Sequence, residues 1–250
     1  MKIDICLMAC NNNQKYYSFF PYVKQIWEKK LGIKCILIFI GNEIPDCLNS
    51  LKEDIVLFEP IENMHSSFIA QNIRLLYPAL LDCNNAVIIA DIDIIPLSKQ
   101  FFIGQIDQYS NELFINYNWK KICEDIKEYY MCYNVALPQT WSKVFNVNKK
   151  VDIINILKQW YNKITYIYDD RYRSKCRGFH NDQLMLYKYL NDYESKNKNH
   201  LILLETQIRR FDMGIKINNK QNLINDIQND LFDDCHFNKK IKKEELLLFL

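Results

Sequence analysis

Residues 1–97 predict an α/β protein whose mostly parallel sheet is covered by helices on both faces. Three observations carry this. Strand-like and helix-like stretches alternate along that half. The strand-like stretches "IDICLM", "KCILIFIG" and "AVIIADID" are continuously apolar, as strands buried on both faces must be. The chain has 250 residues, 49% hydrophobic and 25% charged, which is enough for one substantial core.

The first strand is read over Ile3–Met8. "SFFPYVKQIWEKKLG" has amphipathic helical spacing and ends at Gly32, which suits a C-cap. Lys34–Gly41 and Asp54–Pro60 are the second and third strands. Ser66–Asp82 carries Phe68, Ile69, Ile73, Leu76 and Leu80 at helical spacing, with His65 in its N-terminal turn, and "AVIIADID" is the fourth strand. Beyond residue 97 the pattern is less regular. "LFINYNW", "YMCYNVAL" and "HLILLET", opened by His200, read as strands; "QTWSKVF", "VDIINILKQWYNKI" and "NDQLMLYKYLNDY" read as helices. No repeat or flexible linker divides the chain. A single domain is expected, residues 1–97 forming one half and 98–250 the other. The tail "KKIKKEELLLFL" is expected to pack on that domain, with membrane or partner docking as the alternative.

Composition narrows the function. A net charge of +2 offers no strong field for nucleic acid or an anionic membrane. Nine cysteines, irregularly spaced and without a C-x-x-C pair, argue against a zinc site or a disulfide framework and for a reducing compartment. The opening "MKIDICLMAC" is interrupted by Asp4 and followed by polar "NNNQK", unlike a signal peptide, and no apolar run reaches transmembrane length. A soluble, cytoplasmic protein is expected.

The chemistry concentrates in "AVIIADIDIIPL". A bare Asp-x-Asp arises about once by chance in a chain like this. This one, Asp91 and Asp93, ends the most apolar strand of the first half. Ligands of open α/β sheets bind beyond the carboxyl ends of the strands. Two carboxylates there can hold a hard divalent cation that clamps a diphosphate and offsets charge on a leaving group. The alternative is that both aspartates cap a turn before Pro96.

Taken in order, "SSFIAQNIRLLYPALL", "ADIDIIPL", "CYNVALPQTWSKVF", "GFHNDQLMLYKYL", "RRFDMG" and "DDCHFNKK" resemble the nucleotide-sugar glycosyltransferases of the GT-A fold, across residues 3–240. That resemblance implies a transfer of sugar from a nucleoside-diphosphate sugar, with UDP expected, to a glycan or other hydroxyl acceptor. Ala9, Cys10 and Asn11 would meet the nucleotide base, and Gln71 and Arg74 the ribose or phosphate. Asp93 would be the primary metal ligand, with Asp91 its partner and His236 completing the site. Oxygen donors with one imidazole suit Mn2+, with Mg2+ the alternative. Asp182 in "HNDQ" would take the acceptor's proton in an inverting reaction, the expected course. A retaining enzyme would use the same region to hold the donor sugar. As plain structure, Asp182 is a helix-start carboxylate, His236 a surface histidine and Arg74 a helix-surface arginine. Asn134 would line the sugar pocket, and Tyr133 and Trp141 would stack on sugar or fill the core. "RRFDMG" would reach phosphate or acceptor, or form a turn salt bridge.

Three rivals are weaker. A haloacid-dehalogenase-type phosphatase places its Asp-x-Asp after the first strand, with Thr or Val two residues on; here three strands precede it and Ile95 stands there. A sugar nucleotidyltransferase needs a glycine-rich phosphate loop after the first strand, but no glycine precedes Gly32. An inactive glycan- or partner-binding protein has no need of Asp91, Asp93 and Asp182 together.

Overall fold

β1 (Ile3–Asn11) is the strand on which the molecule is built. The computed structural model describes residues 1–117, 127–164, 178, 180–205, 207–212 and 220–236; the tail 239–250 and the end of "RRFDMG" lie outside the described residues. Side chains alternate across a strand. Ile5 and Leu7 of β1 therefore enter one core, and Cys6, Met8 and Cys10 the other. This two-sided burial is why the stretch is apolar at consecutive positions.

β2 (Lys34–Ile40) and β4 (Ala86–Ile89) flank β1 in parallel, with Leu7 in register with Ile36 on one side and Ile89 on the other. β3 (Ile55–Phe58) extends the sheet beyond β2. On the far side β7 (Asn134–Ala136) runs antiparallel to β4, followed by β6 (Phe114–Asn116) and β8 (Leu201–Leu203). The order is β3-β2-β1-β4-β7-β6-β8. The sheet is thus mostly parallel.

A second sheet, β5 (Ile94–Pro96), β10 (Asp234–His236) and β9 (Arg210–Asp212), lies beyond the end of β4. Here the structure departs from the reading of "AVIIADID" as one strand. β4 stops at Ile89, residues 91–93 turn, and the chain re-enters as β5 in the other sheet. β5 continues the apolar run of β4, and β9 and β10 are three residues each in polar surroundings, so none of them stands out in the sequence as a strand of its own.

The helices are α1 (Gln14–Tyr17), α2 (Phe20–Ile26), α3 (Ser66–Leu76), α4 (Pro138–Phe145), α5 (Lys150–Asn162), α6 (Asn181–Lys196) and α7 (Lys220–Gln228). α2 runs on into a π-helical turn, Trp27–Leu31, that Gly32 closes in the left-handed conformation at φ 71°. α3 ends before Asp82 because Pro78 cannot continue it; a 3-10 turn, Tyr77–Leu80, follows. α3 is packed between the sheet and α4, α5 and α6, so it is buried nearly all round and carries Asn72 and Arg74 into the interior. Gly178, at φ +81°, lies against α3. A Cβ there would stand 2.3 Å from Ile164 and 3.0 Å from Phe68.

Trp141 and Tyr133 are core residues. The Trp141 indole donates to the Val87 carbonyl at 3.3 Å and stacks on Phe145. Tyr133 is fully buried beside Trp27 and Phe102. Among the described residues no helix is long and apolar enough to cross a membrane.

Leu7 sits at the centre of this arrangement with no exposed surface. Leu7→Ala is expected to cost about 3 kcal/mol of folding free energy, read by urea denaturation.

Candidate active site

The chain leaves β1 towards β2 and β3, then returns to β4 on the opposite side of β1. The carboxyl ends of β1 and β4 therefore bound a topological switch point, where open α/β sheets form their crevice. Asn11 ends β1. Asp91 and Asp93 follow β4, and the Ala90 amide donates to the Leu7 carbonyl at 3.1 Å, which ties their turn to β1. The N-terminus of α6 closes the crevice from above α3, where the Asn181 amide donates to Asn72 at 2.8 Å.

Arg74 is the centre of the polar cluster. It is an interior arginine, not a surface one, with a side chain 8% exposed. Its guanidinium donates to Asp91 Oδ1, reaches Asp182 Oδ2 at 3.5 Å, and donates to the Ala90 carbonyl at 3.3 Å. Burial favours its neutral form, but the adjoining Asp91 and Asp182 carboxylates outweigh burial and hold it protonated. The other oxygen of Asp91, Oδ2, accepts from the Cys132 thiol at 2.7 Å. Burial opposes the Asp91 charge, yet Arg74 and the thiol together keep its pKa below the ordinary value. Asp182 is 6% exposed and its balance goes the other way. Burial raises its pKa to about 6, Arg74 opposes the rise, and the negative charge of Asp91 adds to it. Asp182 Oδ1 also accepts from the Gln183 amide at 2.9 Å, so the carboxylate is held within the first turn of α6 as well as pairing with Arg74.

Asp93 turns away from this cluster. Its Oδ2 lies 3.6 Å from His236 Nε2, and both side chains reach solvent. The pairing exists because β10 runs antiparallel to β5, which sets His236 opposite Ile94. The two acidic neighbours of His236 serve the scaffold. Asp233 holds Arg209 and accepts the Arg209 amide. Asp234 is fully buried, takes Arg210 in a two-point pair at 2.8 and 2.6 Å, and accepts from the Tyr133 hydroxyl at 2.8 Å. In "RRFDMG" both arginines thus form salt bridges, Arg209 to Asp233 just before β10 and Arg210 to Asp234 at its start.

Asp93 and His236 offer a divalent cation one carboxylate and one imidazole. Among the described residues no third His, Cys, Asp or Glu joins them in a ligand cluster, and Asp91 is occupied by Arg74 and Cys132. Two protein donors at an open edge fit a cation that completes its shell with phosphate oxygens and water.

The other sequence-predicted residues divide. The Asn11 amide donates to the Ser66 and Ser67 hydroxyls, each at 3.1 Å, at the start of α3. Those serines belong to the crevice, although as ordinary helix-start residues they carry no motif. Ala9 is half-buried beside Asn11, whereas the Cys10 side chain lies in the core, where burial pushes its thiol pKa up. Gln71 lies one turn before Arg74, and its buried side-chain oxygen has no hydrogen-bond partner among the described residues. Asn134 has no exposed surface. Its amide donates to the Tyr130 and Met131 carbonyls and its oxygen accepts from Asn116 at 2.6 Å, so it pins the segment before β7 and does not face the crevice. His65 is the N-cap of α3, its Nδ1 accepting from the Ser67 amide, and His200 precedes β8. Cys132 is the residue that sequence reasoning missed, since nothing local distinguishes it from other cysteines beside apolar residues.

This architecture is shared with solved structures. An active-site glutamine-to-glutamate variant of LgtC is 10% identical, with 98% of this chain and 94% of that chain covered, at a TM-score of 0.51. The fold is that of a GT-A glycosyltransferase. The galactosyltransferase LgtC in complex with donor and acceptor sugar analogs aligns at 11% identity over 98% and 94% of the two chains, TM-score 0.48. The glycosyltransferase GlyE of Streptococcus pneumoniae TIGR4 aligns at 12% identity over 99% of this chain and 60% of that chain, TM-score 0.48. No protein-family model and no curated protein sequence matches the chain.

Asp182 binds its proton more tightly folded than unfolded, so between its ordinary value of 3.8 and about 6 the native state holds more protons and stability falls as pH rises. D182N should remove that decline, up to about 3 kcal/mol, in melting curves across pH 4–7. R74L leaves two carboxylates facing each other without their cation. It should destabilise by about 3 kcal/mol at pH 7 and by less at pH 4, where Asp182 is protonated.

Proposed function

We propose that the protein is a metal-dependent glycosyltransferase that takes a nucleoside-diphosphate sugar, UDP-linked, as donor and a hydroxyl group of a glycan or similar molecule as acceptor. The carrying observation is the Asp93–His236 pair, open to solvent beside the switch point of a GT-A fold. Asp93 and His236 would hold Mn2+ or Mg2+. When bound, the cation supplies positive charge to the departing diphosphate. Asn11, with Ser66 and Ser67 beside it, faces the nucleotide from the end of β1. Gln71 and Arg74 lie behind the diphosphate, with Arg74 anchoring the Asp91 turn.

The course of the transfer turns on Asp182. An inverting reaction needs a carboxylate that reaches the acceptor hydroxyl. Asp182 is almost fully covered and its oxygens already meet Arg74 and the Gln183 amide. This favours retention, with the α6 N-terminus holding the donor sugar and Asp182 positioning Arg74. The reading departs from the expectation of an inverting base.

Calorimetric titration with UDP, GDP and their sugar conjugates, with and without Mn2+, tests the function. Metal-dependent binding of one nucleotide is expected, and D93N should lose the metal dependence while the fold persists. No nucleotide binding in folded protein would overturn the reading. The anomeric configuration of the product, followed by NMR, separates retention from inversion.

A further inference from the structure

We infer that Cys132 is a positioning residue of this site, its thiol orienting the Asp91 carboxylate by donating a hydrogen bond to Oδ2. The inference rests on the proposed transferase reading for its functional consequence and on geometry alone for the contact.

Asp91 has two oxygens and two opposed partners. Arg74 approaches Oδ1 from α3, and Cys132 approaches Oδ2 at 2.7 Å from the segment before β7. With both oxygens engaged, rotation of the carboxylate breaks one contact or the other. Arg74 alone would leave that rotation free, because one guanidinium edge also serves Asp182 and the Ala90 carbonyl.

The backbone is shaped for this contact. Tyr133, next to Cys132, adopts φ 63°, a left-handed conformation that an aromatic side chain takes at a cost of about 1–2 kcal/mol. Its amide donates to the Ile89 carbonyl at 3.1 Å, and its hydroxyl is held by Asp234. The reversal at Tyr133 sends its ring into the core and leaves Cys132 at the mouth of β4, beside Asp91. A thiol is a weaker donor than a hydroxyl or an amide, so Cys132 adds direction at Oδ2 while Arg74 supplies the charge at Oδ1.

The test has two arms. In metal-free protein, a double-mutant cycle of C132A and D91A, which leaves no side-chain acceptor at position 91, isolates the contact on the unfolding equilibrium. C132A should lower the folding constant about 10-fold with Asp91 present and only about 2-fold in the D91A background. Equal losses in both backgrounds would overturn the contact, whatever the protein binds. In the second arm, Mn2+-dependent UDP affinity is measured for C132A and C132S. A loss of about 10- to 100-fold is expected for C132A, with C132S within about threefold of the parent protein because its hydroxyl can still donate. Parent-like affinity of C132A, or equal losses in both variants, would overturn the positioning role. Failure of the parent protein to bind UDP would overturn the transferase reading and the functional consequence drawn from it, while the first arm still decides the contact.

Discussion

One buried cation organises the site. Arg74 lies on a helix packed on all sides, so its charge has to be met by protein groups and not by water. Asp91 and Asp182 meet it, from positions 17 and 108 residues away in the sequence. Two carboxylates brought this close would repel each other without the guanidinium, and the guanidinium would be costly to bury without them. The three groups therefore stand or fall together, and with them the joint between the two parts of the sheet and the start of α6.

That cluster divides the aspartates of the Asp-x-Asp turn into different tasks. Asp91 is held by Arg74 and Cys132, with 30% of its side chain still exposed. Asp93 points away from that cluster and meets His236 at the solvent edge. A single residue between them, Ile92, is buried and turns the chain. A buried strand can thus end in two charged residues because each has its own cationic or imidazole partner and both keep some contact with water.

The small second sheet sets the outer half of the site. β10 delivers His236 to Asp93 through its pairing with β5, and its own position depends on the Arg210–Asp234–Tyr133 network beneath. Asp234 and His236 stand two residues apart and so share one face of the strand. A buried ion pair fixed to a core tyrosine therefore sets the register of a solvent-facing histidine.

The alternation of strands and helices in residues 1–97, the two-sided burial of β1, β2 and β4, and the position of the Asp-x-Asp at a strand end were all legible in the sequence. Each follows from burial patterns that repeat over a few residues. The late histidine and the "HNDQ" stretch were legible only by resemblance. The sequence by itself determined the class of fold and the neighbourhood of the chemistry, because apolar periodicity and chain-breaking residues act locally. The tertiary structure alone decided that Arg74 is interior, that Asp182 is its partner, that Asn134 is a core amide and that Cys132 reaches Asp91. These pairings join residues far apart in the chain, and their energies come from burying charge and hydrogen-bonding groups together, which no local pattern encodes.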